Sequence, residues 1–364
     1  MSFTILNVAY PFALVSKNST GGAEQILSIL DRELVSEGHN SIVLACEGSS
    51  VKGKLYTIPD SRGIIDNAVR NYIHTRCLEK LAWILRKETI DLIHFHGLDF
   101  SAYMPQTEVP ALITLHLPTD WYSKASFNFK GREVYYNCVS CQQHMTAPVI
   151  RNLFPYITNG IYVREFPVKR NKRGYALSLG RICPEKGYHE AAEAARIAQV
   201  PFVLAGELYP YEHHVNYFEH KIKPYLDGQS FKYLGAAPFK LKKELLSDAA
   251  CLLVPSLVEE TSSLATMEAL ACGTPVIAYA RGALKELIAD GVTGFLVNNL
   301  FEMAEAIKQI GSIDSDECRR SAEENLEAEK MALRYFSLYE TIISTAKSKS
   351  NPHILKLKLK NVRK

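Results

Sequence analysis

The chain has 364 residues, of which 47% are hydrophobic and 22% are charged, the composition of an ordinary globular protein with two or three domains. No apolar run approaches the roughly 18–20 residues that span a bilayer, which argues against an integral membrane protein. The net charge of +3 conceals a basic end, because residues 347–364 contain seven Lys and Arg and no acid. The remaining body is mildly acidic, which argues against nucleic-acid binding.

The two ends of the chain bear on its location. Residues 3–15 are apolar but include Asn7 and Pro11 and lack a preceding basic stretch, so they do not resemble a signal peptide. We therefore expect a cytoplasmic protein. The basic tail, residues 348–364, alternates leucine with lysine in HILKLKLK. It is either a solvated end or a strip that contacts anionic lipid at the inner face of a membrane.

The opening of the chain predicts a doubly wound parallel sheet. Phe3–Ala9 is an apolar strand, Gly21 and Gly22 follow a loop, apolar residues then recur at helical spacing up to Gly38, and Ser41–Ala45 is the next strand. The two glycines have two open interpretations. They allow a tight turn, or they let backbone N–H groups at a helix start approach a phosphate or a sugar.

Three histidines follow strands in the first half. His94 and His96 end the strand 91–96, and His116 ends the strand 110–116. Ligands of open α/β sheets collect at the carboxyl ends of strands, although a single histidine there is more often structural. The aromatic-rich segment 119–135 is either an acceptor-binding loop or a connection. Cys138-Val139-Ser140-Cys141 has the spacing of half a zinc site, but we favour a strand end that turns into a helix.

Strands and helices alternate again in the second half, after the charged link 167–174, so a second parallel sheet and a cleft between two domains are expected. The Asp314-Ser315-Asp316 pair precedes a helical region and is interpreted as a helix cap. Residues 324–347 predict a last long helix with aromatic side chains on its apolar side.

Two acids and two bases carry the candidate chemistry. Glu260 and Glu268 are eight residues apart, so one can lie in a loop and the other two turns into the following helix, both facing one cleft. The alternative is a surface acid beside Glu259 and a helical salt bridge. Arg181 and Lys186 are five apart at a strand end and a helix start, and both side chains suit phosphate oxygens.

Five motifs occur in the order that is typical of one enzyme family. They are LGRICPEKG at 179–187, AGE at 205–207, VPSLVEETSSLATMEALACGTPV at 254–276, GALKE at 282–286 and GVTGFLV at 291–297. Together they resemble the family 4 retaining glycosyltransferases, glycosyl transferases group 1. The resemblance implies the GT-B fold, with two Rossmann-like doubly wound parallel-sheet α/β domains facing a cleft and a C-terminal helix that crosses back. The implied parts are an acceptor domain at 1–166, a nucleotide-sugar domain at 167–323, the helix at 324–347 and the tail at 348–364.

The resemblance also implies roles for residues. Glu268 would bind the ribose hydroxyls, Glu260 the hydroxyls of the donor sugar, and His116 would lie beside that sugar. Arg181 and Lys186 would neutralise the diphosphate, so that no metal or other cofactor is required. The implied donor site comprises Gly21, Gly22, Arg181, Lys186, Glu260, Ser262, Ser263, Leu264 and Glu268.

The implied reaction moves a sugar, with retention, from a nucleotide-diphosphate sugar, UDP- or GDP-linked, to a hydroxyl of a glycan, lipid-linked or small-molecule acceptor, as in polysaccharide biosynthesis. Front-face attack needs no protein base, and a double displacement through Glu260 is the alternative. Ser262-Ser263 departs from the Phe-Gly that is usual at these positions. Another GT-B enzyme, such as a sugar-nucleotide epimerase or a phosphorylase, and a non-catalytic nucleotide-sugar-binding subunit remain alternatives.

Overall fold

The computed structural model describes residues 2–61, 65–129 and 131–350 and forms two six-stranded parallel sheets. The first sheet has the strand order β3-β2-β1-β4-β5-β6 and the second has the order β12-β11-β10-β7-β8-β9. The strands are β1 (Thr4–Val8), β2 (Asn40–Cys46), β3 (Lys54–Ile58), β4 (Leu92–Phe95), β5 (Ala111–Leu115), β6 (Val134–Cys138), β7 (Ala176–Leu179), β8 (Phe202–Ala205), β9 (Phe231–Tyr233), β10 (Cys251–Val254), β11 (Val276–Tyr279) and β12 (Gly294–Val297).

Helices cover the faces of both sheets, which confirms the predicted pair of doubly wound domains. The helices are α1 (Gly22–Ser36), α2 (Asn67–Lys87), α3 (Cys141–Thr146), α4 (Tyr188–Ala198), α5 (Glu212–Tyr217), α6 (Phe239–Asp248), α7 (Leu264–Ala271), α8 (Leu284–Leu287), α9 (Leu300–Gln309), α10 (Ser315–Asn325) and α11 (Ala328–Ser350). Within the described ranges, none of these helices is long and apolar enough to cross a membrane.

The strand order places equivalent loops of each sheet at one edge. In the first sheet β1, β4 and β5 are neighbours, and in the second β10 lies between β7 and β11. Because all strands are parallel, their carboxyl ends open on the same side, where the loops that follow β1, β5, β7 and β10 begin. The residues of the implied donor site and His116 lie in these loops or in the helices that follow them, whereas His94 lies within β4 and His96 directly after it.

The last helix packs on the first sheet. Tyr335 and Tyr339 of α11 are fully buried and belong to the same apolar cluster as Ile5 of β1 and Leu30 of α1. Their hydroxyls enter the sheet, where the Tyr339 oxygen lies 2.8 Å from Nδ1 of His94. The helix therefore crosses back from the second sheet to the first, as the family resemblance implied.

The start of the last helix differs from the sequence prediction. The segment 324–327 was predicted as helical, but α10 ends at Asn325 and α11 begins at Ala328. The helix is interrupted because this segment forms backbone hydrogen bonds with Ile161 instead of helical ones. The N–H of Ile161 donates to the carbonyl of Leu326 at 2.8 Å, and the carbonyl of Ile161 accepts from the N–H of Ala328 at 2.9 Å. The chain changes direction at this bridge.

Two smaller predictions are confirmed. Asp314 is the N-cap of α10, since its carboxylate accepts from the backbone N–H of Asp316 at 2.8 Å. Cys138 ends β6 and Cys141 begins α3, so this pair lies at a strand end that turns into a helix. The leucine-lysine repeat of the tail lies in residues 351–364, outside the described residues.

Candidate functional site

Lys186 and Glu260 form the centre of the candidate site. Lys186 lies in the loop after β7, Glu260 lies in the loop after β10, and these two strands are neighbours in the sheet. The Lys186 Nζ atom is 2.6 Å from Oε1 of Glu260, and only 8% of the Glu260 side chain is exposed. The lysine supplies the partner that a nearly buried carboxylate needs, and it remains more accessible than the acid, with 29% of its side chain exposed.

Glycines bring these loops together. Gly187 has φ +65°, and a Cβ there would lie 2.2 Å from the carbonyl oxygen of Pro255, so only glycine fits. Gly282, in the GALKE motif, has φ +54° and a Cβ there would lie 2.2 Å from the carbonyl oxygen of Glu260. The next residue, Ala283, donates its N–H to that same carbonyl at 2.7 Å. The backbone carbonyl of Glu260 is therefore packed against Gly282 and hydrogen-bonded to Ala283, both in the GALKE loop.

The alternative of a surface pair of acids is wrong for Glu260. The exposed neighbour, Glu259, turns away and accepts the backbone N–H of Gly282 at 2.5 Å. Glu260 turns inward instead, to Lys186. The two adjacent carboxylates therefore have different contacts: Glu259 bonds to the GALKE loop, and Glu260 faces Lys186 in the loop after β7.

Glu268 is the fifth residue of α7, about one turn from its start, and its exposed fraction is 3%. Its Oε1 is paired with Nζ of Lys242, which reaches over from α6 and is itself 13% exposed at the side chain. A buried acid is retained here with a single lysine partner from another helix. Breaking such a pair from one side leaves an uncompensated buried charge.

Across the cleft, Gly21 and Gly22 begin α1 and meet the start of α7. A Cβ on Gly22 would lie 3.6 Å from Cδ1 of Leu264, and one on Gly21 would lie 1.9 Å from Oε2 of Glu24. Both glycines lie outside the left-handed region. The backbone conformation therefore does not require glycine at either position, and a Cβ on Gly22 would meet Leu264 only at ordinary contact distance.

Glu24, which the sequence analysis did not single out, lies close to the two glycines. It lies in the first turn of α1 and is buried. Burial raises the pKa of its carboxyl, and the positive charge of Arg181 acts against that rise. Arg181 itself is exposed at the end of β7. The guanidinium is thus close enough to influence an acid on the opposite domain.

The three histidines divide into a structural one and a pair at the cleft. His94 is fully buried, with its ring nitrogens 2.8 Å from the hydroxyl of Tyr339 and 2.7 Å from that of Thr114, which is a structural arrangement. Nδ1 of His96 lies 3.0 Å from Nε2 of His116. Burial lowers the pKa of His116 to about 3, so this ring is neutral at physiological pH.

His116 is tied to the acid loop through its backbone. The hydroxyl of Thr261, the residue after Glu260, donates to the carbonyl oxygen of His116 at 2.7 Å. This contact brings the ends of β5 and β10 together across the cleft. The structure therefore places His116 beside the Glu260 loop.

Ser262 and Ser263, the two departures from the family pattern, have separate contacts. The Ser262 hydroxyl accepts a hydrogen bond from Nδ2 of Asn159 at 3.0 Å, which joins the two domains. The Ser263 hydroxyl caps α7 by accepting from the N–H of Thr266 at 3.4 Å. Each serine thus replaces the usual aromatic or bare backbone with a specific hydrogen bond.

Other contacts also cross the cleft. The carboxylate of Glu286 in α8 accepts the backbone N–H groups of Cys141 and Gln142, at the start of α3, at 3.1 and 2.5 Å. The hydroxyls of Thr20 and Tyr209 lie 2.7 Å apart. These contacts and those of Ser262 and Thr261 join the domains in a closed arrangement.

Lys242 was missed by sequence reasoning. It lies in a lysine-rich helix, where KLKK gives no sign that one lysine points inward to an acid 26 residues further on. The side-chain contact of Asn159 to Ser262 had no sequence signal either. Tertiary packing brings both side chains to their partners, and no local sequence pattern indicates these contacts.

Comparison with known proteins agrees with this geometry. The family model for glycosyl transferases group 1 matches residues 163–328, and the model for glycosyltransferase family 4 matches residues 20–144. An uncharacterized glycosyltransferase of Methanocaldococcus jannaschii is 27% identical over 259 residues, which cover 66% of this chain and 71% of that protein. The matches include both faces of the cleft.

Solved structures share the fold. Sucrose-phosphate synthase from Thermosynechococcus elongatus aligns with a TM-score of 0.76 at 18% identity and covers 94% of this chain and all of its own, 100%. The Anabaena protein HepE, in complex with UDP-glucose, aligns with a TM-score of 0.70 at 15% identity and covers 93% of this chain and 99% of its own. With both halves matched by the family models, the chain is a glycosyltransferase that belongs to family 4, the glycosyl transferases group 1.

Proposed function

We propose that this protein is a retaining glycosyltransferase that moves a sugar from a UDP-sugar to a hydroxyl group of an acceptor, in glycan or polysaccharide biosynthesis. The observation that carries the proposal is the 2.6 Å pair between Lys186 and Glu260 at the carboxyl ends of neighbouring strands. It offers a cation for a phosphate and an acid for sugar hydroxyls within one contact.

The departing nucleoside diphosphate develops negative charge that has to be neutralised. Arg181 and Lys186 follow β7 within one loop and supply a planar guanidinium and a point charge to phosphate oxygens. With these two cations at the diphosphate, the transfer proceeds without a metal ion in this proposal. Gly21 and Gly22 leave the backbone at the start of α1 open to close approach from the opposite side.

Two carboxylates bind the remaining parts of the donor, the ribose and the transferred sugar. Glu268 accepts hydrogen bonds from the ribose hydroxyls, which replace part of its interaction with Lys242. Glu260 accepts from hydroxyls of the transferred sugar while Lys186 holds its other side. His116, neutral because of its burial, lies next to this loop and contributes a hydrogen-bonding group rather than a charge.

Retention by front-face attack fits these contacts better than a double displacement. The positive charge of Lys186 at Oε1 weakens the Glu260 carboxylate as a nucleophile, and the other carboxylate oxygen accepts from the sugar hydroxyls in this proposal. In front-face attack a phosphate oxygen of the leaving group takes the acceptor's proton. The incoming hydroxyl oxygen then bonds to the anomeric carbon on the face from which the phosphate departs.

UDP is proposed as the nucleotide because HepE, which shares the fold over nearly its whole length, was solved with UDP-glucose. The proposal is tested with UDP-glucose and other UDP-sugars in buffer containing EDTA, with proton NMR of the sugar that slow donor hydrolysis releases. Retention predicts that the α-anomer of glucose appears before mutarotation. The Glu268→Ala variant should release none.

Three results would contradict the proposal. Initial release of the β-anomer would show inversion. Absence of UDP formation from every UDP-sugar, with and without a panel of hydroxyl acceptors, would rule out UDP-sugars as donors. A requirement for added Mg²⁺ or Mn²⁺ would contradict the metal-free neutralisation by Arg181 and Lys186.

A further inference from the structure

Three side chains that the proposed transfer does not use converge behind the phosphate loop. Cys183 and Glu185 lie between Arg181 and Lys186, and His214 lies on α5. One ligand atom from each lies within 4.8 Å of the other two. Cys183 is completely buried and His214 is 5% exposed, so the cluster is internal rather than a group of surface acids.

The cluster contains polar atoms without partners. Nδ1 of His214 and Oε2 of Glu185 are buried, and neither has a hydrogen-bond partner within the part of the chain that the structure describes. Leaving a buried polar group unsatisfied costs about 1–3 kcal/mol, so such groups in a native protein call for a physical reason. A cation held between them would satisfy both.

We propose that Cys183, Glu185 and His214 form a binding site for a soft divalent cation, Zn²⁺ in particular. Thiolate, imidazole and carboxylate together are a zinc ligand set, and three protein ligands leave a fourth position for water. As the zinc–sulfur bond forms, the thiol of Cys183 releases its proton to solvent and the sulfur binds as thiolate.

The geometry requires a small closure. Ligand atoms around a tetrahedral Zn²⁺ at about 2.0–2.3 Å are separated by roughly 3.3–3.8 Å, so ligand atoms that now lie within 4.8 Å of one another must approach by up to about 1.5 Å. The loop that carries two of them is already anchored, because the N–H of Leu257 donates to the carbonyl of Glu185 at 2.8 Å.

A zinc ion here would join the loop after β7 to α5. That loop also carries Arg181 and Lys186, so the ion would hold these two phosphate-binding side chains in place without taking part in the transfer. The proposal concerns metal binding and stands whether or not the donor is a UDP-sugar. Sequence spacing did not indicate the site, because His214 lies 29 residues after Glu185 on a different element.

The test is titration of the reduced, metal-free full-length chain with Co²⁺, followed by displacement with Zn²⁺. Thiolate bound to Co²⁺ gives an intense near-ultraviolet charge-transfer band. We expect this band at one equivalent in the wild type, and its loss on addition of Zn²⁺. Cys183→Ser should abolish the band, and His214→Gln should weaken binding by at least about tenfold, the loss typical even of outer-shell partners.

Matched controls are available in the neighbouring residues. His213→Gln changes the exposed histidine beside His214, and Cys141→Ser changes the partly exposed cysteine. Both should bind Co²⁺ as the wild type does, and Zn²⁺ should raise Tm in them but not in Cys183→Ser. Circular dichroism establishes that each variant is folded, and His214→Gln serves if Cys183→Ser is not. Absence of a thiolate band in the wild type, or its survival in Cys183→Ser, would overturn the proposal.

Discussion

The hydroxyl of Thr261 donates a 2.7 Å hydrogen bond to the backbone carbonyl of His116. Thr261 follows the acid that is paired with Lys186, and His116 directly follows β5 of the first sheet. One bond therefore joins the loop that would hold the donor sugar to the opposite domain. The position of Glu260 relative to His116 depends on domain closure, which several other hydrogen bonds also stabilise.

Loss of the cation at the diphosphate should slow transfer. We expect Lys186→Met to lower kcat/KM by about 10²–10³-fold, the range found when one group that stabilises developing charge is removed. The exposed Lys285→Met is the matched control and should keep wild-type activity. Steady-state UDP release measures both. Equal kcat/KM for Lys186→Met and wild type would exclude Lys186 from the phosphate site.

Variants of the buried pair Lys242 and Glu268 should distinguish the contribution of the pair to folding stability from that of Glu268 to nucleotide binding. Lys242→Met leaves a buried carboxylate without its partner, which we expect to lower the free energy of unfolding by about 3–5 kcal/mol. The double variant Lys242→Met/Glu268→Gln removes both charges and should regain much of that stability.

Affinity should not follow stability in this pair. The double variant should still bind UDP at least about tenfold more weakly, a loss of about 1.4 kcal/mol, because the ribose loses its carboxylate partner. Urea unfolding and calorimetric titration with UDP provide the two readouts. Wild-type affinity in the stable double variant would show that Glu268 has only a structural role.

The two serines should differ in what they stabilise. Ser263→Ala removes the N-cap of α7 and should lower the free energy of unfolding by about 1 kcal/mol. Ser262→Ala and Asn159→Ala should be non-additive, with a coupling energy of about 0.5–1.5 kcal/mol, the net value of one hydrogen bond. Urea unfolding of the four members of the cycle measures it. Strict additivity would mean that the bond between domains does not form in solution.

Stability should depend on pH through His116. Its pKa falls from 6.5 to about 3 on folding, so between these values the unfolded chain binds a proton that the folded chain does not. The free energy of unfolding therefore rises with pH across this window, by up to about 1.4 kcal/mol per pH unit, and it decreases again as the pH falls. His116→Gln should show a shallower slope than wild type between about pH 5 and pH 6.5, measured by urea unfolding. The exposed His220→Gln should match wild type, and parallel lines for His116→Gln would contradict the buried, neutral ring.

Docking of the last helix depends on a buried hydrogen bond. Tyr339→Phe removes the hydroxyl that meets His94 and leaves a buried ring nitrogen unpartnered, so we expect a loss of about 1–3 kcal/mol. Tyr72→Phe, at a side chain that is 55% exposed, should stay within about 0.5 kcal/mol of wild type. Chemical unfolding compares the two, and similar small effects would place the Tyr339 hydroxyl outside the core.

Local pattern predicted the parts of the fold and site that depend on local chemistry. The strand, loop and helix around Glu260 and Glu268 followed from apolar runs and from the eight-residue spacing, which placed Glu260 in the loop and Glu268 in the helix, although Glu268 lies one turn into α7 rather than two. The cap at Asp314 followed from its position before a helix. The strand β3 and the helix α2 were not identified; β3 is only half-buried at the sheet edge and so shows weak alternation.

The remaining features depend on tertiary contacts. The break between α10 and α11 is caused by Ile161, more than 160 residues away in sequence, and no pattern within 324–347 encodes it. The partner of Glu268 is Lys242, one of several lysines in its helix, and only packing distinguishes it. The same is true of Asn159 and Ser262, which meet only because the domains close.

The most direct test of the donor site is thermal shift of the wild type and of Glu268→Ala with UDP-, GDP-, ADP- and dTDP-sugars in the absence of metal. A ligand at 100 times its Kd stabilises the folded state by about 2.7 kcal/mol, which raises Tm by several degrees. We expect a UDP-sugar to stabilise the wild type and to leave Glu268→Ala unchanged. Equal stabilisation of both proteins, or none by any nucleotide sugar, would contradict a donor site built on Glu268, Glu260 and Lys186.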